Sequence, residues 1–311
     1  MKNINSRHSA APYVTAVLSS CLFGLSYIFT KNALKTASPM ELVSFRFLLA
    51  FIIMTILVKA KVMSVNYKNK PVRWLALLSF FEPVMYFIFE TYGLKYTAAS
   101  IGGLMISLIP IVVTILAAYL LKEIPNAKSV MYIIISVSGV ILIVLMDSSK
   151  KGGSTSLIGI LLLFGAVFSA ALFNITSRRI SKKFTPFEIT YFMMFSGALS
   201  FNVLSICGHI LNGNIKDYFA PLKSMTFIES ILYLGVASSI IAYFLINYSL
   251  AKLKASTISV FSNISTIVSI VSGVIVLHEK FYFYHIIGSI LIIAGVLGTN
   301  LVELNQVKRE K

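Results

Sequence analysis

The 311-residue sequence is 57% hydrophobic and only 12% charged, with a formal net charge of +16, which excludes an ordinary soluble domain. Its 27 lysines and arginines fall almost wholly in short gaps between apolar runs, so the positive charge reads as membrane topology and not as a nucleic-acid surface. The two cysteines, Cys21 and Cys207, lie within apolar segments and suggest neither a disulfide framework nor a metal site.

Apolar runs of membrane-spanning length fall near 11–30, 42–58, 74–91, 100–121, 129–146, 156–176, 187–208, 227–248, 256–277 and 284–302. They predict ten helices, the second of them short for a span. The N-terminal MKNINSRHSAAP places Lys2 and Arg7 before an apolar run, as a signal peptide does. Further apolar runs follow instead of a soluble domain, so the first run reads as a retained spanning helix. Short connections predict antiparallel neighbours. With a cytoplasmic N-terminus, Lys and Arg of the inner segments outnumber those of the outer loops by roughly two to one. Both termini are therefore expected inside.

The third run, in the stretch WLALLSFFEPVMYFIFETYGLK, contains acid. Glu82 lies nine residues past Arg73, about 13 Å deep at helical rise and near the middle of a hydrocarbon core about 30 Å thick. Glu90 lies two turns further along the same face. Acids at such depth are rare and usually face a bundle interior or a watery cavity.

The chain also repeats itself. Tyr92, Leu94, Ala99 and Ser100 recur 156 residues later as Tyr248, Leu250, Ala255 and Ser256, as do Leu121 and Glu123 in Leu277 and Glu279, and Gly139–Val140 in Gly295–Val296. Nearer the start of each half the offset is 147: Pro39 and Glu41 recur as Pro186 and Glu188, Leu25 as Leu172, and Phe45 as Phe192. Each half then has five helices, with boundaries at 1–150 and 151–311. Five is odd, so the second half enters the membrane the opposite way up. The expected fold is an all-α membrane protein of ten transmembrane helices in two inverted-topology repeats, a signature of secondary transporters with a site near the midplane. Small-residue stripes, Ser100–Gly103–Ser107 in helix four and Ser265–Ser269–Gly273 in helix nine, predict close helix approach.

These pieces together carry a resemblance along roughly residues 12–303. They are SFRFLLA at 44–50, YGLKYTAAS at 92–100, IP at 109–110 with LLKE at 120–123, NYSLAKLKAS at 247–256, and LHE at 277–279. In this order and duplicated, they resemble the ten-helix EamA-type members of the drug/metabolite transporter superfamily. The resemblance implies a cavity between the halves lined by helices one, three, four, six, eight and nine. It also implies a multi-pass plasma-membrane location and transport of small metabolites, often outward. Thr266 stands where the first half has Pro110, and Met193 where it has Arg46, so any site between the halves is asymmetric.

Glu82 is the leading candidate for function. Pro83 follows it and weakens the local helical ladder. A carboxylate there would couple transport to protons or act as counter-ion for a cationic substrate, the alternative being a structural acid. Arg46 and Glu90 lie at matching depth, which predicts a pair acting as a structural clamp or an outer gate. Tyr86 is one turn from both acids, placed to stack on a substrate. In the second half Tyr243, Asn247 and Asn263 are the polar counterparts, with Asn263 either lining the cavity or bonding between helices. Asn174 is a weaker candidate. Trp74 and Tyr13 read as interfacial anchors, and Glu123 and Glu279 as loop or capping residues. His209, His278 and His285 form no ligand pattern, and there is no HExxH motif or phosphate-binding glycine loop.

The expected activity is secondary transport by alternating access, with export of amino acids or related metabolites. The alternative is uptake of a small cationic metabolite balanced by Glu82 and Glu90. Partners are a small-molecule substrate, membrane lipid and a coupling proton. No cofactor or nucleic acid is expected, and ten helices suffice for a monomer. An intramembrane enzyme would need a convergent set of acid, base or metal ligands at one interface, which the sequence lacks.

Overall fold

The computed structural model describes residues 10–121, 127–148, 156–253 and 255–309. Among these residues the helices fall into ten rods. They are α1 (Ala11–Ala33), α2 (Pro39–Lys59), α3 (Arg73–Lys95), α4 (Ala99–Ile106 and Ile109–Leu121), α5 (Ala127–Ser148), α6 (Leu157–Ile180), α7 (Pro186–Leu211), α8 (Met225–Lys252), α9 (Ala255–Val276) and α10 (Phe283–Arg309). A single 3-10 segment, Ile215–Lys223, precedes α8. Seven rods are long and apolar enough to cross a membrane outright; α5, α9 and α10 carry the shorter apolar stretches Val130–Ile143, Asn263–Val276 and Phe283–Gly295.

The second helix is longer than its apolar run. A capping box starts it at Pro39: Ser38 Oγ accepts from Glu41 N at 3.3 Å, and Ser38 N donates to Glu41 Oε2 at 2.6 Å. The extra turn brings it to 21 residues. The same device starts α7, where Thr185 Oγ1 accepts from Glu188 N and Thr185 N donates to Glu188 Oε2. The recurring Pro-x-Glu of the sequence is therefore a repeated helix start, with proline at the first helical position, where it costs no hydrogen bond, and glutamate at the third.

The two halves interlock. α1 packs on α8 and α9, α2 on α7, α3 on α6, α4 on α6 and α9, and α5 on α10. Close approach depends on absent side chains. A Cβ on Gly24 would lie 2.7 Å from the Ser265 carbonyl, one on Gly139 2.6 Å from that of Gly288, and one on Gly295 2.5 Å from that of Tyr132. The predicted small-residue stripes of α4 and α9 meet each other: a Cβ on Gly103 would fall 1.6 Å from Ser269 Oγ, and Thr266 Oγ1 donates to the Gly103 carbonyl at 2.8 Å.

Two rods depart from α-helical geometry in matching places. In α3 the residues Phe80–Met85 form a π-helical turn in which Glu82 is extended (φ −147°, ψ 117°), as the residue before a proline prefers. In α8 the π-helical stretch is Tyr233–Ala242. α4 is also interrupted, between Ile106 and Ile109 beside Pro110, whereas α9, with Thr266 in that position, runs unbroken.

Candidate functional site

The broken turn of α3 lines a cavity between the halves through Glu82, and the π-helical stretch of α8 stands behind that wall, holding Arg46 of the lining through Ser238 and Ser239. At the 156-residue offset, Glu82–Pro83 corresponds to Ser238–Ser239 and Phe87 to Tyr243. A π-turn leaves backbone ladders irregular and redirects side chains, a recurrent feature of functional positions, and discontinuous helices at equivalent places in two repeats mark the binding region of transporters.

The cavity has a volume of about 90 Å³. α1 contributes Ser20, Phe23, Ser26 and Tyr27; α3 contributes Glu82, Tyr86, Phe87 and Glu90. Ile106 and Ile109 come from the interruption in α4, Ala170, Phe173 and Asn174 from α6, Tyr243 and Ile246 from α8, and Ile258 and Ser265 from α9. These are the six helices the resemblance implies, with one addition: α2 enters through Arg46.

Three charged side chains meet in this wall. Glu82 accepts a hydrogen bond from the Tyr243 hydroxyl, a direct tie between α3 and α8. Tyr243 is itself boxed by the rings of Phe23 (centroids 5.1 Å apart), Phe173 (6.2 Å) and Phe87 (6.4 Å). Glu90 is 2% exposed, and its Oε2 accepts from Thr91 Oγ1 at 3.1 Å. Arg46 is 1% exposed and donates through Nε to Ser239 Oγ at 2.7 Å and through Nη2 to Ser238 Oγ at 2.9 Å. Its guanidinium carbon lies 4.3 Å from the centre of the Phe87 ring and 5.4 Å from that of Phe47.

The expected Arg46–Glu90 pair is corrected by this arrangement. Both residues reach the same cavity, but the ion pairs among the described residues are Lys70–Glu188 and His209–Glu41. The two serines of α8 capture the guanidinium instead, because the π-turn directs both hydroxyls at α2. Sequence reasoning passed over Ser238 and Ser239. Their signal was present, as a polar pair in an apolar run at the repeat position of Glu82–Pro83.

Glu82, Tyr86, Glu90, Arg46 and Tyr243 thus come together. Asn247 and Asn263 do not join them on the cavity wall. Asn247 accepts from Ser177 Oγ at 3.0 Å and donates to Thr190 Oγ1 at 3.1 Å, knitting α6, α7 and α8. Asn263 is buried in α9 with neither amide atom hydrogen-bonded among the described residues. Asn174, the weaker candidate, does line the cavity. Trp74 lies under Arg179 at 5.1 Å, and Tyr13 is exposed at the start of α1. No group of His, Cys, Asp or Glu among the described residues is placed to hold a metal ion.

Two contacts away from the cavity lining tie helix ends together. Glu279, in the α9–α10 connection, accepts from Ala99 N at 2.6 Å and Ser100 N at 3.0 Å, capping α4. Lys31 of α1 donates to the carbonyls of Leu94 (2.9 Å) and Thr97 (2.7 Å) at the end of α3. Negative charge at a helix start and positive charge at a helix end both complement the helix dipole. The capping role expected of Glu279 is what the structure shows; its repeat partner Glu123 lies outside the described residues.

Comparison with known proteins agrees with this architecture. The profile of the EamA-like transporter family matches twice, over residues 11–145 and 157–301. The uncharacterized transporter YcxC of Bacillus subtilis (strain 168) is 34% identical over 304 residues, covering 97% of each chain. A probable amino-acid metabolite efflux pump of Escherichia coli (strain K12) is 23% identical over 285 residues, covering 91% of this chain and 92% of that one. A solved crystal structure shares the fold with a TM-score of 0.65 at 17% identity, over 94% of this chain and 99% of its own.

Proposed function

Because the chain belongs to the EamA-like transporter family and is a multi-pass protein of the plasma membrane, we propose that it is a proton-coupled secondary transporter exporting amino acids or related small metabolites. Both termini lie in the cytoplasm. The two five-helix halves rock about the central cavity, opening it to one side and then the other. The ties that Glu279 and Lys31 make between helix ends open in one half of the cycle. Glu82 carries the coupled proton, and its bond to Tyr243 links protonation in one half to the position of the other.

Support comes from one arrangement: Glu82, on a broken turn of α3, faces a cavity between the halves and is bonded across it by Tyr243 of α8. A carboxylate that bridges two moving bodies is placed to sense their separation. The name of the Escherichia coli relative, a probable amino-acid metabolite efflux pump, favours this substrate class and direction. The presence of two carboxylates against one arginine favours a second reading, uptake of a small cationic metabolite with Glu82 and Glu90 as counter-charges.

The test uses proteoliposomes loaded with a pH-sensitive dye. An amino-acid gradient should change internal pH in the wild type and not in Glu82→Gln, while the variant still binds substrate. Radiolabelled flux that survives the substitution without any pH change would return Glu82 to a structural role. Movement of cationic amines in preference to amino acids would select the second reading.

A further inference from the structure

Arg46 presents a charged fork that the protein fills on one side only. In a guanidinium, Nε–H and one N–H of Nη2 form one edge of the planar donor array, while Nη1 and the other N–H of Nη2 form another. Ser239 and Ser238 take the first edge. The second has no hydrogen-bond partner among the described residues, and Arg46 stands in the cavity wall. Phe87 and Phe47 lie against the group and fix its plane. Neither acid completes the fork: Glu82 is bonded by Tyr243 and Glu90 by Thr91, and neither forms an ion pair with Arg46.

A buried cation with an unsatisfied donor edge is costly, and the planar two-oxygen geometry of a carboxylate matches that edge bidentately. We infer that Arg46 is the receptor for a carboxylate group of the substrate, and that Ser238 and Ser239 are positioning residues that aim its free edge into the cavity. This rests on the transport reading and sharpens it. The substrate must carry a carboxylate, which leaves Glu82 and Glu90 for its ammonium group or the coupled proton. An amine lacking a carboxylate would leave the fork unpaired. The aromatic lining from Phe23, Tyr86, Phe87 and Phe173 suits a flat apolar side group beside the charged one.

Three probes sharing one ring separate the possibilities: phenylalanine, phenylacetate and phenethylamine. Binding to the purified full-length protein is followed by thermal unfolding and by equilibrium titration. Phenylalanine and phenylacetate should bind the wild type at least about tenfold more tightly than phenethylamine. Arg46→Lys keeps the charge and loses the fork, and should weaken both carboxylates by about tenfold or more while leaving phenethylamine unchanged. The double substitution Ser238→Ala with Ser239→Ala should weaken the carboxylates by several-fold, and it answers the question should Arg46→Lys not fold. Carboxylates that bind the wild type no better than the amine, or whose preference survives in the substituted proteins, would overturn the assignment. Flux of the same compounds distinguishes the two layers. Arg46-dependent carboxylate binding without flux breaks the transport reading alone; flux whose carboxylate preference ignores Arg46 breaks the receptor alone.

Discussion

The π-helical turns of α3 and α8 occupy the same place in the two repeats and do opposite work. The first, held open by Pro83, presents a carboxylate, Glu82. The second has no proline and presents two hydroxyls, Ser238 and Ser239, that grip an arginine from the other half. The backbone device is duplicated; the chemistry is divided. Duplication provides two irregular turns beside one site, and divergence of a few side chains makes one of them acidic and lets the other orient a cation.

Moving the acid from one break to the other tests this division most severely. Ser238→Glu places a carboxylate on the Nη2 side of Arg46, where it would pair with the guanidinium. Flux in proteoliposomes is expected to fall by about 100-fold, since a close buried ion pair must be broken in every cycle, while the protein stays folded in a thermal scan. Retained flux would mean that the charge distribution between the breaks is incidental. A smaller loss is expected from Tyr243→Phe, which deletes the bond across the cavity and leaves the ring. Hydrogen bonds to charged groups contribute about 1.5–3 kcal/mol, so coupled flux should drop by roughly tenfold or more with apolar packing around the ring unchanged.

Two further sets of substitutions compare the repeats away from the cavity. Gly103→Ala puts a methyl group against Ser269 and should cost about 1–3 kcal/mol by overpacking, read as a lowered unfolding temperature. Adding Ser269→Gly should restore much of it, and simple additivity of the two losses would show that α4 and α9 do not meet there. The smallest effects belong to the helix starts. Ser38→Ala and Thr185→Ala should each cost about 1 kcal/mol, measured by thermal unfolding. The two boxes differ in what lies outside them, since Glu41 meets His209 and Glu188 meets Lys70. Equal losses would show that the box itself sets the stability; unequal ones would assign the difference to those outer partners.

Much of this was legible before any coordinates, because hydrocarbon leaves few options. Acid in an apolar run must face something polar, so Glu82 and Glu90 are legible as site residues, whereas Tyr243, which the 156-residue offset pairs with Phe87, stands out only as a polar group in an apolar run. α2 starts three residues ahead of its apolar run because a capping box is polar and an apolar count stops short of it. Asn247 and Arg46 show the deeper limit. A polar side chain in a membrane helix satisfies itself on whichever neighbour the packing brings, and Asn247 found Ser177 and Thr190 while Arg46 found two serines and not Glu90. Depth along a helix is written in the sequence; the rotation of one broken helix against another is not.

The grip on Arg46 has a consequence for biogenesis. Arg46 and Ser238 are 192 residues apart in the chain. At bacterial synthesis rates that interval lasts roughly 10–40 s, during which α2 is made and its guanidinium lacks both of its native hydrogen-bond partners. Only the carboxylates of α3 arrive early enough to shelter it. A chain halted before α8 therefore holds an intramembrane cation whose two serine partners have not yet been made.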